Sequence, residues 1–238
     1  MDVLIYSACF GAAALAAFLL VRPFSYRLAL AAGLGFAAYI GLDDLATSLP
    51  ALHSFRLIEG SWNWDGKFYS IGLSLLVILL WRMKLEAVGL TLKQRNILSS
   101  NIVLGAMLVW GFSLGAVFHP EPATGETLVY QALMPGLAEE LAYRGIAPAI
   151  LLGLIGARDP EQAMPWSVIV LTAVVFGLWH GLSYSDGQFS FDALSALFPL
   201  IGSIVGGWLR FNSGSLVFPF LAHGGANVAY HLAPVVLS

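Results

Sequence analysis

The chain has 238 residues, of which 58% are hydrophobic and only 11% are charged, and its mean hydropathy is +0.81. A soluble domain carries about 25% charged residues, so this chain has too few charges to cover a surface that faces water. Its formal net charge of −3 is too small to indicate a nucleic-acid partner. The composition therefore predicts an integral membrane protein whose surroundings are the lipid bilayer.

Apolar runs separated by polar residues predict an all-α fold, a polytopic bundle of about eight transmembrane helices. A run of about 20 apolar residues matches the thickness of the hydrocarbon core. We divide the chain into N-terminal helices with polar loops, residues 1–96, and a C-terminal core, residues 97–238. The predicted spans are 3–21, 27–40, 68–81, 97–118, 128–155, 166–182, 193–211 and 216–237.

The first apolar run is interpreted as a retained helix rather than a cleavable signal. No basic residue precedes it, and no cleavage site of the small-x-small type follows it. The run contains Cys9, the one cysteine of the chain, which excludes an intramolecular disulfide. We expect Cys9 to be a small buried apolar residue.

The distribution of basic residues predicts the orientation in the membrane. Connections after even-numbered spans carry only Arg56 and Lys67, whereas those after odd-numbered spans carry eight basic residues. The positive-inside rule then places both termini outside, and the short connections favour a bacterial cytoplasmic (inner) membrane. The eight residues assigned to the cytoplasmic side are Arg22, Arg27, Arg82, Lys84, Lys93, Arg95, Arg158 and Arg210.

The polar stretch 43–67 is the longest connection between predicted spans. Near its end, Trp62, Asn63 and Trp64 lie close to Lys67. Aromatic residues beside a basic residue are typical of the membrane interface. We interpret this cluster as an interfacial anchor and leave a role in substrate entry open.

Three charged residues, Glu139, Glu140 and Arg144, lie deep in the predicted fifth span. A charged side chain in hydrocarbon costs at least about 2.5–3.5 kcal/mol on insertion scales, so such a group needs a compensating role. On a helix, Glu140 and Arg144 are four residues apart and can pair on one face. Glu139 points about 100° away and has no partner within its own helix. We therefore interpret the pair as structural and Glu139 as functional.

Two later spans also contain polar groups. Phe176 and His180 lie at the end of the predicted sixth span, and His223 and Asn227 lie in the last one. Because His223 and Asn227 are four residues apart, their side chains share one face, which should point into the bundle. The structural alternative is hydrogen bonding between helices, which contributes about 0.6–2 kcal/mol in membranes.

Glu139, His180, His223 and Asn227 together contain the groups that peptide hydrolysis needs. A carboxylate partly stripped of water can act as a general base near neutral pH, and a neighbouring histidine can share the proton. A second histidine and an amide can donate hydrogen bonds to a developing oxyanion. No serine or cysteine lies in a recognisable nucleophile setting, so water would be the attacking group.

The three motifs resemble the signature of the CAAX-protease and bacteriocin-processing (CPBP, or Abi) family of intramembrane proteases. Its pattern is Glu-Glu-x-x-x-Arg, then Phe-x-x-x-His, then His-x-x-x-Asn, on separate helices. The resemblance covers residues 127–238 and implies that residues 97–238 form the catalytic core. The matching residues are Glu139, Glu140, Arg144, Phe176, His180, His223 and Asn227.

The resemblance implies a glutamate-type peptidase that acts on a membrane-associated peptide or protein substrate. By this resemblance, Glu139 and His180 would activate water. His223 and Asn227 would stabilise the oxyanion. The residues that would support the site structurally are Glu140, Arg144 and Phe176.

We expect no cofactor, with zinc as the alternative. Glu139, His180 and His223 would be an acceptable set of zinc ligands with water in the fourth position. The chain lacks the His-Glu-x-x-His helix that is typical of zinc proteases, so a mechanism without a metal is favoured.

Two non-protease functions stay open at this stage. One is a membrane immunity or binding protein that keeps its polar residues for structure. The other is a transporter with Glu139 and the histidines as a proton relay, although the paired broken helices of transporters are not evident. A binder needs no water-activating group and a relay needs no Asn227, so we favour the enzyme. Its substrate, whether a prenylated peptide, a bacteriocin leader or a sorting-signal tail, is not defined by the sequence.

Two further patterns concern the shape of the bundle. Pro135 and Pro148 flank the glutamates and predict a kink that opens space near the site. The small residues Gly202, Gly206 and Gly207 predict close helix packing within the bundle, with dimerisation as the alternative.

Overall fold

The computed structural model describes residues 2–21, 26–154 and 164–237, and this part of the chain is mainly helical. The all-α fold class is therefore confirmed. Arg22 and Arg158, used above for the orientation, and the end of the predicted fifth span at Ile155 lie outside the described residues. The helices are α1 (Asp2–Val21), α2 (Tyr26–Ser48), α3 (Trp64–Leu80), α4 (Ile97–Phe118), α5 (Gly125–Glu140), α6 (Ala147–Leu154), α7 (Trp166–Gly181), α8 (Ala193–Ser213) and α9 (Val217–Leu237).

Three of the described helices are long and apolar enough to cross a membrane. They cover Asp2–Leu20, Ile97–Phe118 and Ala193–Ser213, and Trp166–Gly181 is a shorter apolar helix. Together with the composition, they support an integral membrane protein. The number of eight spans stays a prediction.

Helix α2 is longer than the sequence predicts. It continues to Ser48, so that Asp43 and Asp44 lie within the helix and are buried instead of belonging to a polar connection. The expected loop 43–67 is therefore wrong at both ends. Hydroxyl groups compensate the buried carboxylates: Ser70 donates to Asp43 and Ser7 donates to Asp44.

Helix α3 begins four residues earlier than predicted, at Trp64. The Asn63 side chain caps it by accepting a hydrogen bond from the backbone N–H of Gly66. Lys67 consequently lies in the first turn of α3, with only 5% of its surface exposed. Lys67 therefore belongs to a buried helical turn and not to the predicted polar connection, whereas the interfacial anchor at Trp62, Asn63 and Trp64 stays a prediction.

The predicted fifth span is not one regular α-helix. A π-helical turn, Leu141–Ile146, follows α5 directly and leads into α6. Pro148 has no N–H to donate, so a regular α-helix would lose one hydrogen bond just before it, and π-turns occur where the ladder is interrupted in this way. The interruption begins immediately after Glu140.

Glycines bring several helices close together. A Cβ atom on Gly111 or Gly115 of α4 would collide with the backbone of α9 at Ala226 and Tyr230. In α8, a Cβ on Gly207 would lie 2.8 Å from Ile169 of α7. The predicted use of small residues for packing within the bundle is confirmed for α8.

Cys9 is exposed on the outer face of α1, so the expectation of a buried cysteine is wrong. The opposite face of α1 carries Phe10 and Ala14, which are fully buried. These residues pack in a core formed with α2, the π-helical turn, α6 and α7. An apolar surface residue is stable in lipid, so burial inside the protein is not required for Cys9.

A short antiparallel hairpin joins α7 to α8. Its strands are β1 (Leu182–Ser185) and β2 (Gln188–Phe191). Asp192 then caps α8, accepting hydrogen bonds from the Ser195 hydroxyl and from the backbone N–H groups of Ser195 and Leu194. These hydrogen bonds, above all those from Ser195, lower the pKa of Asp192. The hairpin follows His180 by two residues and so fixes the end of α7.

Candidate active site

A cavity of about 470 Å³ lies inside the bundle, and all the motif residues line it. Helix α5 supplies Glu139 and Glu140, α7 supplies His180, and α9 supplies His223 and Asn227. The remaining walls come from α3, α4 and α8 and are largely apolar and aromatic. The structure thus brings the four predicted catalytic residues to one space. Their support residues Arg144 and Phe176 line it too.

Glu139 is buried and is paired across helices. The Lys67 ammonium on α3 donates to its Oε1 across 2.6 Å. Its Oε2 lies 3.8 Å from Nε2 of His223. Glu139 was expected to have no partner within its own helix, and the structure supplies one from α3. The ammonium stabilises the charged carboxylate at a depth where an isolated charge would be costly.

Glu140 interacts with one residue through each of its carboxylate oxygens. Its Oε2 lies 3.2 Å from Nε of Arg144, in the predicted pairing of residues four apart. Its Oε1 accepts a hydrogen bond from Nδ1 of His223 across 2.7 Å. Because a carboxylate only accepts, Nδ1 of His223 must carry the proton, and Nε2 points towards Glu139.

His180 lies at the exposed side of the cavity. Its Nδ1 is 2.9 Å from the backbone carbonyl of Phe176. A carbonyl accepts, so Nδ1 donates and Nε2 of the neutral ring keeps a lone pair for another group. The Phe176 ring packs between His180, at 4.5 Å between centroids, and the Arg144 guanidinium, at 4.4 Å. Phe176 thus contacts both the pair on α5 and the histidine on α7.

Asn227 is held by a residue that the motifs do not include. Its side-chain N–H donates to Oε1 of Gln131 on α5 across 2.8 Å. An amide group has two N–H donors, so one remains for a second acceptor in the cavity. Asn227 and His223 lie on the same face of α9, as predicted, and both line the cavity.

Aromatic residues form one wall of the cavity. Trp62 stacks on Tyr130 at 4.9 Å between ring centroids, and its indole N–H donates to Thr127. Trp64 meets the edge of Tyr130, and its indole N–H donates to Glu126. Both Trp62 and Trp64 therefore pack against α5, and Trp62 lines the cavity, which is compatible with a role in substrate entry.

The arrangement does not fit a zinc site. Within residues 2–21, 26–154 and 164–237, no group of three or more His, Cys, Asp or Glu side chains is placed to hold a metal ion. The Lys67 ammonium already occupies Oε1 of Glu139, and a cation at that position opposes the binding of a dication. A metal ion held by Glu139, His180 and His223 would have to bind Oε2 of Glu139 while the Lys67 ammonium stays on the other oxygen of the same carboxylate.

Comparison with known proteins decides the family. Residues 123–229 match the family model described as type II CAAX prenyl endopeptidase Rce1-like. This region belongs to the CAAX-protease family. The resemblance stated from the motifs is therefore confirmed, and the Rce1-like region contains every motif residue. No curated protein matches the chain, and no solved structure matches it.

Two residues of the site were missed by sequence reasoning. Lys67 lies outside the Rce1-like region, and the helix-start signal Asn63-Trp64-Asp65 could have placed it in a first turn. Gln131 precedes Glu139 by eight residues, which is about two helical turns and so the same face of α5. Both signals are visible only once a helix boundary or a helix face is assigned.

Proposed function

We propose that the chain is an intramembrane endopeptidase that hydrolyses a peptide bond in a membrane-associated peptide or protein substrate. The observation that carries this proposal is the meeting of Glu139, His180, His223 and Asn227 in one cavity, inside a region of a protease family. The family description names prenyl substrates, and a prenylated peptide is one of the substrate classes that the sequence leaves open.

Glu139 and His180 are the groups proposed to activate water. A water molecule between them would attack the carbonyl carbon, and the Glu139 carboxylate would take its proton through Oε2. His180 can accept a hydrogen bond from the same water because its Nε2 carries the lone pair. The proton then passes to the leaving nitrogen as the C–N bond breaks, which yields a carboxylic acid and an amine.

His223 and Asn227 are proposed to stabilise the tetrahedral oxyanion. Asn227 offers the N–H that Gln131 does not use. His223 can donate from Nε2 only when both ring nitrogens carry a proton, and Glu140 beside Nδ1 is the counter-ion for that form. In other hydrolases, removal of one hydrogen-bond donor to the oxyanion lowers kcat by about 10²–10³-fold. The support role of Glu140 therefore includes holding His223.

We propose that catalysis proceeds without a metal. The pairing of Lys67 with Glu139 supports this, because it places a positive charge where a metal ion would bind. Water activation then depends on Glu139 and His180 alone. Zinc-dependent hydrolysis by the same residues is the competing mechanism.

The proposed location is a bacterial cytoplasmic membrane with both termini outside. The unequal distribution of basic residues between connections supports this orientation. The orientation can be measured by placing single cysteines in the connections and testing which of them react with a membrane-impermeant thiol reagent. Labelling of the connection 82–95 from outside intact cells would contradict the proposal.

The central experiment compares wild type with Glu139→Gln and His180→Ala, purified in detergent and checked for folding. Each protein is incubated with a library of membrane-tethered peptides, and products are measured by mass spectrometry. Glu59→Gln is the matched control because Glu59 is exposed in a connection. We expect Glu139→Gln to lower the rate by about 10²–10⁴-fold, the usual contribution of a general base. A folded Glu139→Gln that cleaves at the wild-type rate would exclude the mechanism.

A further inference from the structure

Helix α3, which lies outside the Rce1-like region, contributes a charged group to the site. Lys67 on α3 donates to Glu139 across 2.6 Å, and the two side chains are only 7% and 9% exposed. Breaking a buried pair of this kind leaves one charge without compensation. We propose that Lys67 is a positioning residue that keeps Glu139 charged and fixes which of its oxygens faces the substrate. This inference rests on the proposed function.

The first turn of α3 is fixed by contacts to α2. Asn63 donates to the backbone carbonyl of Thr47 and at the same time caps α3. Ser70, one turn after Lys67, donates to Asp43 across 2.6 Å. Lys67 thus lies between two points at which α3 is tied to α2. These two contacts hold the first turns of α3 against α2 without involving the Lys67 ammonium.

Trp179 holds the ammonium from the other side. The Nζ atom of Lys67 lies 5.0 Å from the centre of the Trp179 ring, within the range of a cation–π contact. The indole N–H of Trp179 donates to Asp44 across 2.7 Å, which fixes the ring against α2. Trp179 also meets the His180 ring edge at 4.9 Å. Lys67 therefore contacts Glu139 directly and is connected to His180 through the Trp179 ring.

The ion pair with Lys67 gives the two oxygens of the Glu139 carboxylate different surroundings. Oε1 is occupied by the ammonium, whereas Oε2 has no hydrogen-bond partner within the described part of the chain. Oε2 lies 3.8 Å from Nε2 of His223 and borders the proposed position of the water. Without Lys67, Glu139 and Glu140 would be adjacent carboxylates with Arg144 and His223 as their neighbouring cationic groups. The charge on Glu139 would then be poorly compensated, and either oxygen could turn towards the cavity.

The first test measures kinetics in a Cys9→Ser background, where no other cysteine exists. Lys67→Met is expected to lower kcat by about 100-fold, with KM changed by less than about threefold, because the lost interaction acts on the water-activating group. Lys67→Cys treated with 2-bromoethylamine regains an ammonium at nearly the same reach. We expect this treatment to recover at least about tenfold in kcat.

Ser74→Ala is the matched control for these variants. Ser74 is buried on the same helix and hydrogen-bonds to Tyr39, but not to Glu139. We expect its kcat to stay within about twofold of the parent, since it removes one hydrogen bond away from the chemistry. If Lys67→Met retains the kcat of the parent, the positioning role is excluded. Complete aminoethylation without any recovery would exclude it as well.

A second test does not depend on activity. Melting temperatures are measured for Lys67→Met, Glu139→Gln and the double variant. The double variant is expected to melt above either single variant, because it leaves no unpaired buried charge. Additive effects would exclude the pairing itself. If Glu139→Gln instead cleaves at the wild-type rate, the proposed water-activating role of Glu139 fails, and with it the catalytic part of this proposal, whereas the melting temperatures still test the pairing.

Discussion

His223 and Glu140 share a hydrogen bond across 2.7 Å that joins the last helix of the bundle to the two-glutamate motif. The same carboxylate faces Arg144 through its other oxygen. A single side chain thus compensates a buried guanidinium and orients the ring of a histidine proposed to act in catalysis. Because Nδ1 donates to Glu140, only Nε2 of His223 is left to face Glu139 and the cavity.

Replacement of Glu140 by Gln tests this double role. The amide oxygen can still accept from His223, but the Arg144 guanidinium loses its negative partner. We expect the free energy of unfolding to fall by about 3–5 kcal/mol, as for other buried pairs with one partner removed. Activity should fall by about 10–100-fold, the usual effect of losing a residue that orients a catalytic histidine. Thermal melting and cleavage rates measure the two effects.

The double variant Glu140→Gln with Arg144→Met separates stability from catalysis. Removing both charges should restore much of the lost melting temperature, since no unpaired charge remains. Activity should not recover, because His223 still lacks its counter-ion. A double variant that regains both would show that Glu140 acts on packing alone.

Gln131→Leu is expected to weaken the oxyanion site without disturbing the glutamates. Its Oε1 accepts a hydrogen bond from Asn227, so the variant frees that amide to rotate. A hydrogen bond contributes about 0.5–1.5 kcal/mol, which corresponds to a loss of up to about tenfold in kcat. Gln94→Leu is the control, because the Gln94 side chain donates to the Leu92 carbonyl and does not line the cavity. If Gln131→Leu and wild type have equal kcat, then either Asn227 does not stabilise the oxyanion or Gln131 does not hold Asn227 in place.

Contacts within one helix could be predicted from the sequence, and contacts between helices could not. The spacing of Glu140 and Arg144 gave a pairing that the structure confirms. The shared face of His223 and Asn227 also followed from helical geometry. By contrast, the bond from Lys67 to Glu139 joins residues 72 positions apart and depends on how α3 packs against α5. Helical periodicity contains no information about that packing.

Helix ends were the other source of error. Asp43 and Asp44 lie at the start of the predicted polar connection, and acidic residues are rare inside membrane helices. The structure compensates them with hydroxyl donors from α1 and α3, Ser7 and Ser70. Such compensation is invisible until the helices are assembled. The predicted start of α3 at residue 68 lies after Lys67, so Lys67 was not expected in the bundle.

Metal removal distinguishes the two proposed mechanisms. We expect a strong chelator to leave the cleavage rate unchanged, because Lys67 rather than a metal ion neutralises Glu139. Metal analysis of active purified protein should then find much less than one zinc per chain. Stoichiometric zinc whose removal abolishes cleavage, and whose return restores it, would establish the zinc mechanism instead.

Gly111→Ala tests the close contact between α4 and α9. A Cβ at this position would collide with the backbone of Ala226, the residue before Asn227, so α9 must shift. Overpacking of this kind costs about 1–3 kcal/mol, and a shift at Ala226 would also move Asn227 away from the oxyanion. We therefore expect a lower melting temperature and a lower kcat together.

Gly105→Ala is the matched control on the same helix, since a Cβ there meets no atom within 4 Å. Alanine favours a helix over glycine by about 1 kcal/mol, so this variant should be as stable as wild type or slightly more stable. Its activity should be unchanged. Equal melting temperatures for Gly111→Ala and Gly105→Ala would mean that α4 and α9 are not in backbone contact, and the placement of Asn227 by that contact would then be wrong.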